Sequence, residues 1–222
     1  TAVYAFIHAM VPQGAVVATM HGVSLAFHTA NVLLVYRLAR SWQESGVTAG
    51  LTAALWATHP VLVESVAWVT NLKTVMFACC SLVALVAWER HLSESGPGWG
   101  LVALAAVAVS LGCRPEGVVW PFFLAARTLG TPGERLRERR HAVPLAAAGL
   151  LSLVYVPVSV FGHRQVVGEH GIAPVMEGGY TLVERASRIL AALGLQAQNF
   201  LWPVDLHPGY FSGNAAYDRW VI

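Results

Sequence analysis

The 222-residue chain reads as an all-α membrane protein, a polytopic transmembrane helical bundle, on three observations. Apolar side chains make up 56% of it and charged ones only 12%, about half the charge of an ordinary soluble domain. Its mean hydropathy of +0.56 is that of a chain with several spans. The apolar residues come in runs parted by short polar stretches, and the arginines gather in alternate stretches. A net charge of +2 carries little information about partners, because most side chains in such a fold face lipid or one another. Thirteen of the 14 basic residues are arginine, which points to a GC-rich, bacterial coding sequence. Cys79, Cys80 and Cys113 lack metal-ligand spacing and read as small apolar helix residues. No metal site is expected.

In chain order, residues 1–10 are mildly apolar, are stopped by Pro12 and Gly14, and read as the end of an outer loop. The first clear span is 15–38, closed by Arg37 and Arg40. His21 and His28 lie seven residues apart within it. With no third ligand in reach they suit interhelical hydrogen bonding better than a metal. Residues 47–58 are apolar but only about 18 Å long as a helix, short of a core of about 30 Å. Pro60 suits a first helical turn capped by Thr58 or His59, so 60–70 is expected to be a short surface helix. On it Glu64, Trp68 and Asn71 would share one face. The span 74–88 follows, then a loop over 89–98. A pair of short spans, 99–112 and 117–129, is joined by Cys113, Arg114, Pro115 and Glu116. Residues 130–141 are basic and suit a solvated loop. A nucleic-acid partner would need a larger basic surface, and none is expected. The span 142–161, a polar loop over 162–179 and an amphipathic surface helix over 180–201 complete the pattern. Trp202, Tyr210 and Phe211 then suit a membrane interface.

Residues 58–73, THPVLVESVAWVTNLK, organise the rest. His59, Glu64, Asn71 and Lys73 stand there among Val, Leu, Ala and Trp, and each polar group must face water, a partner or a substrate. The basic residues fix an orientation. Arg37, Arg40, Arg90, Arg127, Arg135, Arg137, Arg139 and Arg140 belong to one set of loops; Lys73, Arg114 and Arg164 belong to the opposite set. The positive-inside rule makes the first set cytoplasmic, so His59–Lys73 and Arg114–Glu116 are expected on the outer side.

Three blocks carry a family resemblance. They are HP-x3-ESVAW at 59–68 with Lys73 after it, H-x6-H-x2-N-x-LL-x-YRL at 21–38, and WP-x2-L at 202–206 followed by an aromatic cluster. A basic residue followed by Pro and Glu, here Arg114, Pro115 and Glu116, supports them. The chain resembles the GT-C superfamily glycosyltransferases with C-terminal tetratricopeptide repeats, bacterial relatives of the cadherin-directed transmembrane O-mannosyltransferases. The resemblance implies a GT-C-like fold. It implies transfer of a sugar, mannose being the first candidate, from a polyprenyl-phosphate donor to an acceptor hydroxyl, with inversion, on the outer face. Its expected setting is a bacterial inner membrane, or the endoplasmic reticulum if the source is eukaryotic. Expected partners are membrane lipid, the lipid-linked sugar and a protein or glycan acceptor, with no cofactor besides the donor. The resemblance also places the main acidic residue in an outer loop before Thr1 and the repeats beyond Ile222. The chain is therefore expected to be a fragment of the membrane domain, inactive by itself.

That chemistry needs a proton acceptor, cations for the lipid phosphate and an apolar groove for the prenyl chain. Glu64 and His59 are the catalytic candidates, against the alternatives of pairing within the loop and capping the Pro60 helix. Lys73 and Arg114 are the phosphate candidates, against anchoring at the headgroup level. Glu116 pairs with Arg114 or faces solvent. Trp68 and Asn71 complete the substrate-binding set, with His163, Arg164 and His170 as weaker candidates that the 162–179 loop would bring over it. A transporter or structural scaffold with several spans shares the composition. A transporter, however, is expected to carry charges at mid-depth in broken central spans, whereas here they collect at one face, in turns between short helices.

Overall fold

The computed structural model describes residues 2–42, 45–94, 98–131, 138–169 and 181–203, with the side chains of residues 2, 64, 160–169, 182, 185 and 188 excepted. The described residues are helical, joined by short turns, with no strand among them. The helices are α1 (Ala2–Met10), α2 (Val16–Trp42), α3 (Gly46–Thr58), α4 (Pro60–Ala67), α5 (Leu72–Ser93), α6 (Gly98–Cys113), α7 (Trp120–Leu129), α8 (Arg139–Glu169) and α9 (Leu182–Leu201). Residues 1–161 form one compact unit and 162–222 a second.

The first unit is built around α5, which packs most extensively on α6 and then on α2. Small residues permit the close α5–α6 approach. Ala84 and Ala87 join Ala103, Ala106 and Val107 in one buried cluster that also holds Trp88 and Leu124. Helix α2 is tied to its neighbours by polar side chains one face apart. Ser24 Oγ donates to the Val66 carbonyl at 3.0 Å, His28 Nε2 to Ala57 O at 3.2 Å, and Asn31 Nδ2 to Val75 O at 3.1 Å. Each bond satisfies a group that would otherwise be stranded in an apolar layer. His28 also stacks on Trp56, with ring centroids 5.5 Å apart. It thus does the interhelical bonding its spacing suggested.

Among the described residues three helices are long and apolar enough to cross a membrane: Gln13–Trp42, Val69–Ser93 and Arg139–Ser159. The pair Gly46–Thr58 and Pro60–Ala67, bent by 54°, adds a fourth if it forms one broken span. Helix α6 is about 24 Å long and α7 about 15 Å, both short of the hydrocarbon thickness. Leu25, Leu33, Leu101, Phe122 and Leu153 lie on outer surfaces, each more than half exposed. Such an apolar exterior is what lipid solvates.

Five local expectations are corrected. Residues 2–10 are helix rather than loop, because Ile7 is buried with Val16, Met20 and Leu72, and Tyr4 Oη donates to Val69 O at 2.9 Å. The 60–70 helix stops at Ala67. Trp68 is extended, and Val69–Asn71 form a 3-10 turn closed by Asn71 N–H on Trp68 O at 2.8 Å. Glu64, Trp68 and Asn71 therefore do not share one helical face. Helix α5 continues to Ser93, past the start of the loop expected at 89, since His91 and Leu92 find buried positions. The segment expected as a helix from 117 begins with a 3-10 turn, Pro115–Val119. Helix α8 runs through Pro157 and on to Glu169, across half of the loop expected at 162–179. The second unit holds α9, opened by a capping box in which Thr181 and Glu184 each accept the other's backbone N–H.

Candidate functional site

The turn between α6 and α7 meets the start of α5, and there four separated polar side chains become one network. Arg114 is extended, at φ −149° and ψ 141°, the conformation favoured before proline. This ends α6, and Pro115 opens the 3-10 turn that carries Glu116. Gly117 closes the turn onto α6. A Cβ there would lie 3.0 Å from Ser110 Oγ and 3.1 Å from the Leu111 backbone nitrogen. So a side chain at this position would press on α6 and crowd the turn.

Arg114 grips Glu116 with the Nε–Nη2 edge of its guanidinium. Nε lies 3.2 and 3.1 Å from the two carboxylate oxygens, and Nη2 lies 2.6 Å from Oε1. Its Nη1 reaches across to α5 and donates to Thr74 Oγ1 at 2.7 Å. Thr74 in turn donates to Asn71 Oδ1 at 2.5 Å. The bonds from Arg114 hold the Glu116 carboxyl below the usual carboxylate range. Partial burial opposes this, and the charges of Arg114 and Lys73 reinforce it. Lys73 is exposed beside this network. Lys73 and Arg114 against Glu116 leave the cluster one positive charge, at a place where a half-exposed carboxylate already marks an anion's position.

Asn71, Lys73, Arg114 and Glu116 are thus brought together although their two segments are some 40 residues apart in the chain. Thr74 joins them and was missed by the sequence reading. Its signal was its place three residues after Asn71 at a helix start. Trp68 adjoins the cluster through its carbonyl bond to Asn71 N–H, and its ring is half exposed. His59 sits at the bend between α3 and α4, where its Nδ1 accepts the Val61 N–H at 3.3 Å. An accepting Nδ1 puts the proton of the neutral ring on Nε2. Glu64 lies on α4, and its side chain is outside the described residues, as are those of His163, Arg164 and His170. A cleft of about 370 Å³ runs along α2 and α4, with His21 and His28 on one wall and Leu62 and Val66 on the other.

An apolar cleft of about 650 Å³ begins at Val118, in the same turn as Glu116, and passes between α7 and α8. Pro121, Phe122 and Ala125 form one wall, and Leu145, Gly149 and Leu153 the other. It stays open because Gly149 presents no side chain and nothing fills the space where its Cβ would be. An anion-attracting cluster at one end of an apolar trough can hold a phosphate with a hydrocarbon tail.

The model of the dolichyl-phosphate-mannose-protein mannosyltransferase family matches residues 5–161, a stretch that holds both the polar cluster and the trough. No curated protein and no solved structure matches the chain.

Proposed function

The chain belongs to the dolichyl-phosphate-mannose-protein mannosyltransferase family, an integral-membrane glycosyltransferase group with GT-C architecture, and on that premise we propose how its residues serve the transfer. The donor's phosphate lies against Lys73 and Arg114, and its prenyl chain lies in the trough between α7 and α8. The juxtaposition of the Arg114–Glu116–Thr74–Asn71 network with that trough carries this reading. In the reaction an acceptor hydroxyl oxygen attacks the anomeric carbon. The bond from that carbon to the phosphate oxygen breaks, and polyprenyl phosphate leaves with its charge met by Lys73 and Arg114. The acceptor proton passes to a carboxylate. Glu64 with His59 orients the acceptor end, and Trp68 walls it. Inversion follows from a single displacement.

The acceptor is a hydroxyl on protein, with mannose as the sugar, and the site faces the outer side. The arginine distribution supports that orientation. Arg37, Arg40, Arg90, Arg127, Arg139 and Arg140 stand at the end of the first unit remote from Arg114. The membrane is a bacterial inner membrane, or that of the endoplasmic reticulum if the source is eukaryotic. Segments 15–38, 47–58, 74–88, 99–112, 117–129 and 142–161 are embedded, with α4 and α9 at the surface.

Transfer from polyprenyl-phosphate mannose to a Ser/Thr-containing peptide, measured with the full-length protein in proteoliposomes, tests it. A product with inverted anomeric configuration is expected. Absence of transfer with mannose but turnover with another lipid-linked sugar would overturn the sugar assignment. Donor-independent activity would overturn the whole reading.

A further inference from the structure

A third cleft, of about 290 Å³, opens at the other end of the first unit, between the end of α5, the start of α6 and the start of α8. Its polar rim carries Glu94, Arg139 and Arg140, and the rest of its lining is largely apolar, with Leu101, Leu104, Val143 and Pro144. His91 begins the floor. It is 2% exposed, its Nε2 donates to the Arg140 carbonyl at 2.9 Å, and Gly100 fits against its ring, where a Cβ would come within 3.1 Å. The start of α8 is thereby fixed on α5, which makes the cleft a built feature.

The surroundings place this cleft at headgroup depth. The Arg90 guanidinium lies 4.4 Å above the Trp99 ring, and Arg127 lies 5.9 Å from the Trp42 ring. Tryptophan and arginine together mark the membrane–water interface. Charge is biased as well. Among the described residues, Arg37, Arg40, Arg90, Arg127, Arg139 and Arg140 gather here against Glu89, Glu94 and Glu138. Glu89 is held by Arg127. Glu94 Oε2 accepts the Trp99 indole N–H at 2.6 Å. Glu138 faces Arg140 at 3.3 Å. Arg139 stands exposed at the mouth.

We infer that this cleft binds an anionic glycerophospholipid, its phosphodiester at Arg139 and Arg140 and the first part of an acyl chain along Leu101, Leu104 and Val143. Two basic groups over an apolar slot between helices are the complement of such a lipid. The site is distinct from the one that would hold the sugar donor. His91 lies about 26 Å along α5 from Thr74, so the inference stands whether or not the donor assignment does. The bound lipid would wedge the starts of α6 and α8 apart at a fixed spacing.

Native mass spectrometry of the purified full-length protein, released from vesicles of equimolar phosphatidylcholine and phosphatidylglycerol with a minor share of polyprenyl phosphate, tests the inference. Preferential retention of phosphatidylglycerol is expected. Replacing both arginines (Arg139→Gln with Arg140→Gln) should lower that retention on the order of tenfold or more, the scale of two basic groups near a lipid phosphate. Leu101→Trp fills the slot without touching charge, at an exposed position, and should lower it similarly. It decides the matter alone if the double variant does not fold. Arg37→Gln removes the same kind of charge at the same end but outside the cleft, and should leave retention unchanged. Equal retention in Leu101→Trp and wild type overturns the inference. So does an equal loss in Arg37→Gln, which would mean diffuse attraction only. Retention of polyprenyl phosphate in place of phosphatidylglycerol, abolished by Leu101→Trp, overturns it in favour of a donor site.

Discussion

Gly117→Ala probes the turn that presents Arg114 and Glu116. The added methyl would stand 3.0 Å from Ser110 Oγ, 3.1 Å from Leu111 N and 3.2 Å from Leu111 Cα. Two of those atoms are helix backbone. The third belongs to a fully buried serine whose hydroxyl is fixed on Val107 O at 2.7 Å. Nothing nearby can yield cheaply, so the turn must lift off α6, at the usual overpacking cost of about 1–3 kcal/mol. Lifting the turn lengthens the 2.7 Å bond from Arg114 to Thr74. The variant should melt several degrees below wild type and bind the lipid-linked donor several-fold more weakly. Gly112→Ala is the paired control, in α6 with nothing within 4 Å of its Cβ. It should be neutral or stabilised by up to about 1 kcal/mol. Thermal melts of the three proteins in one detergent compare them directly. A Gly117→Ala melt at or above wild type would refute the packing argument.

Two further outcomes are expected. Glu64→Gln keeps shape and removes charge; turnover should fall by ~100-fold or more, the scale of acid–base groups, with an unchanged melt, whereas full activity with a lowered melt would make Glu64 a structural residue. For Glu116, the folded carboxyl lies below its ordinary value of 4.5, so its contribution to stability is complete above that pH and disappears as pH falls through the lowered folded value. Because Glu116 is half exposed, the contribution is under about 1 kcal/mol. Melting wild type and Glu116→Gln as a function of pH should show a small constant gap at neutral pH that closes in acid, and a gap that widens in acid would contradict the assignment.

Hydropathy and arginine placement made the membrane class legible, and rare polar groups in apolar surroundings pointed to Asn71, Lys73, Arg114 and Glu116. Solvation explains why they stand out, because each of those groups needs water or a partner wherever the helices lie. What stayed hidden depended on tertiary contacts. Helix α1 looked like loop because its short sequence is held by Tyr4 on Val69 O and by Ile7 in a cluster contributed by α2 and α5. The break at Trp68 is set by a local turn that apolar periodicity does not register. Thr74 looked like the first residue of a span until Arg114 reached it from α6. His91 and His141, both buried with rings 5.2 Å apart, had been read as loop residues, since only the packing of α8 on α5 gives them an interior. In the other direction, the i, i+7 spacing of His21 and His28 left a metal reading open, and His28 resolves it by bonding Ala57 O.

The central claim is that Lys73 and Arg114 bind the donor's phosphate, and the most direct measurement is the affinity of the full-length protein for polyprenyl-phosphate mannose. Wild type, Lys73→Ala and Arg114→Ala are compared in the same vesicles, with melts to establish folding. Lys73 is exposed and Arg114 already holds Glu116 and Thr74. Lys73→Ala should therefore weaken binding about tenfold with an unchanged melt, while Arg114→Ala should weaken binding and lower the melt together. Unchanged donor affinity in both variants would contradict the claim and place the phosphate elsewhere.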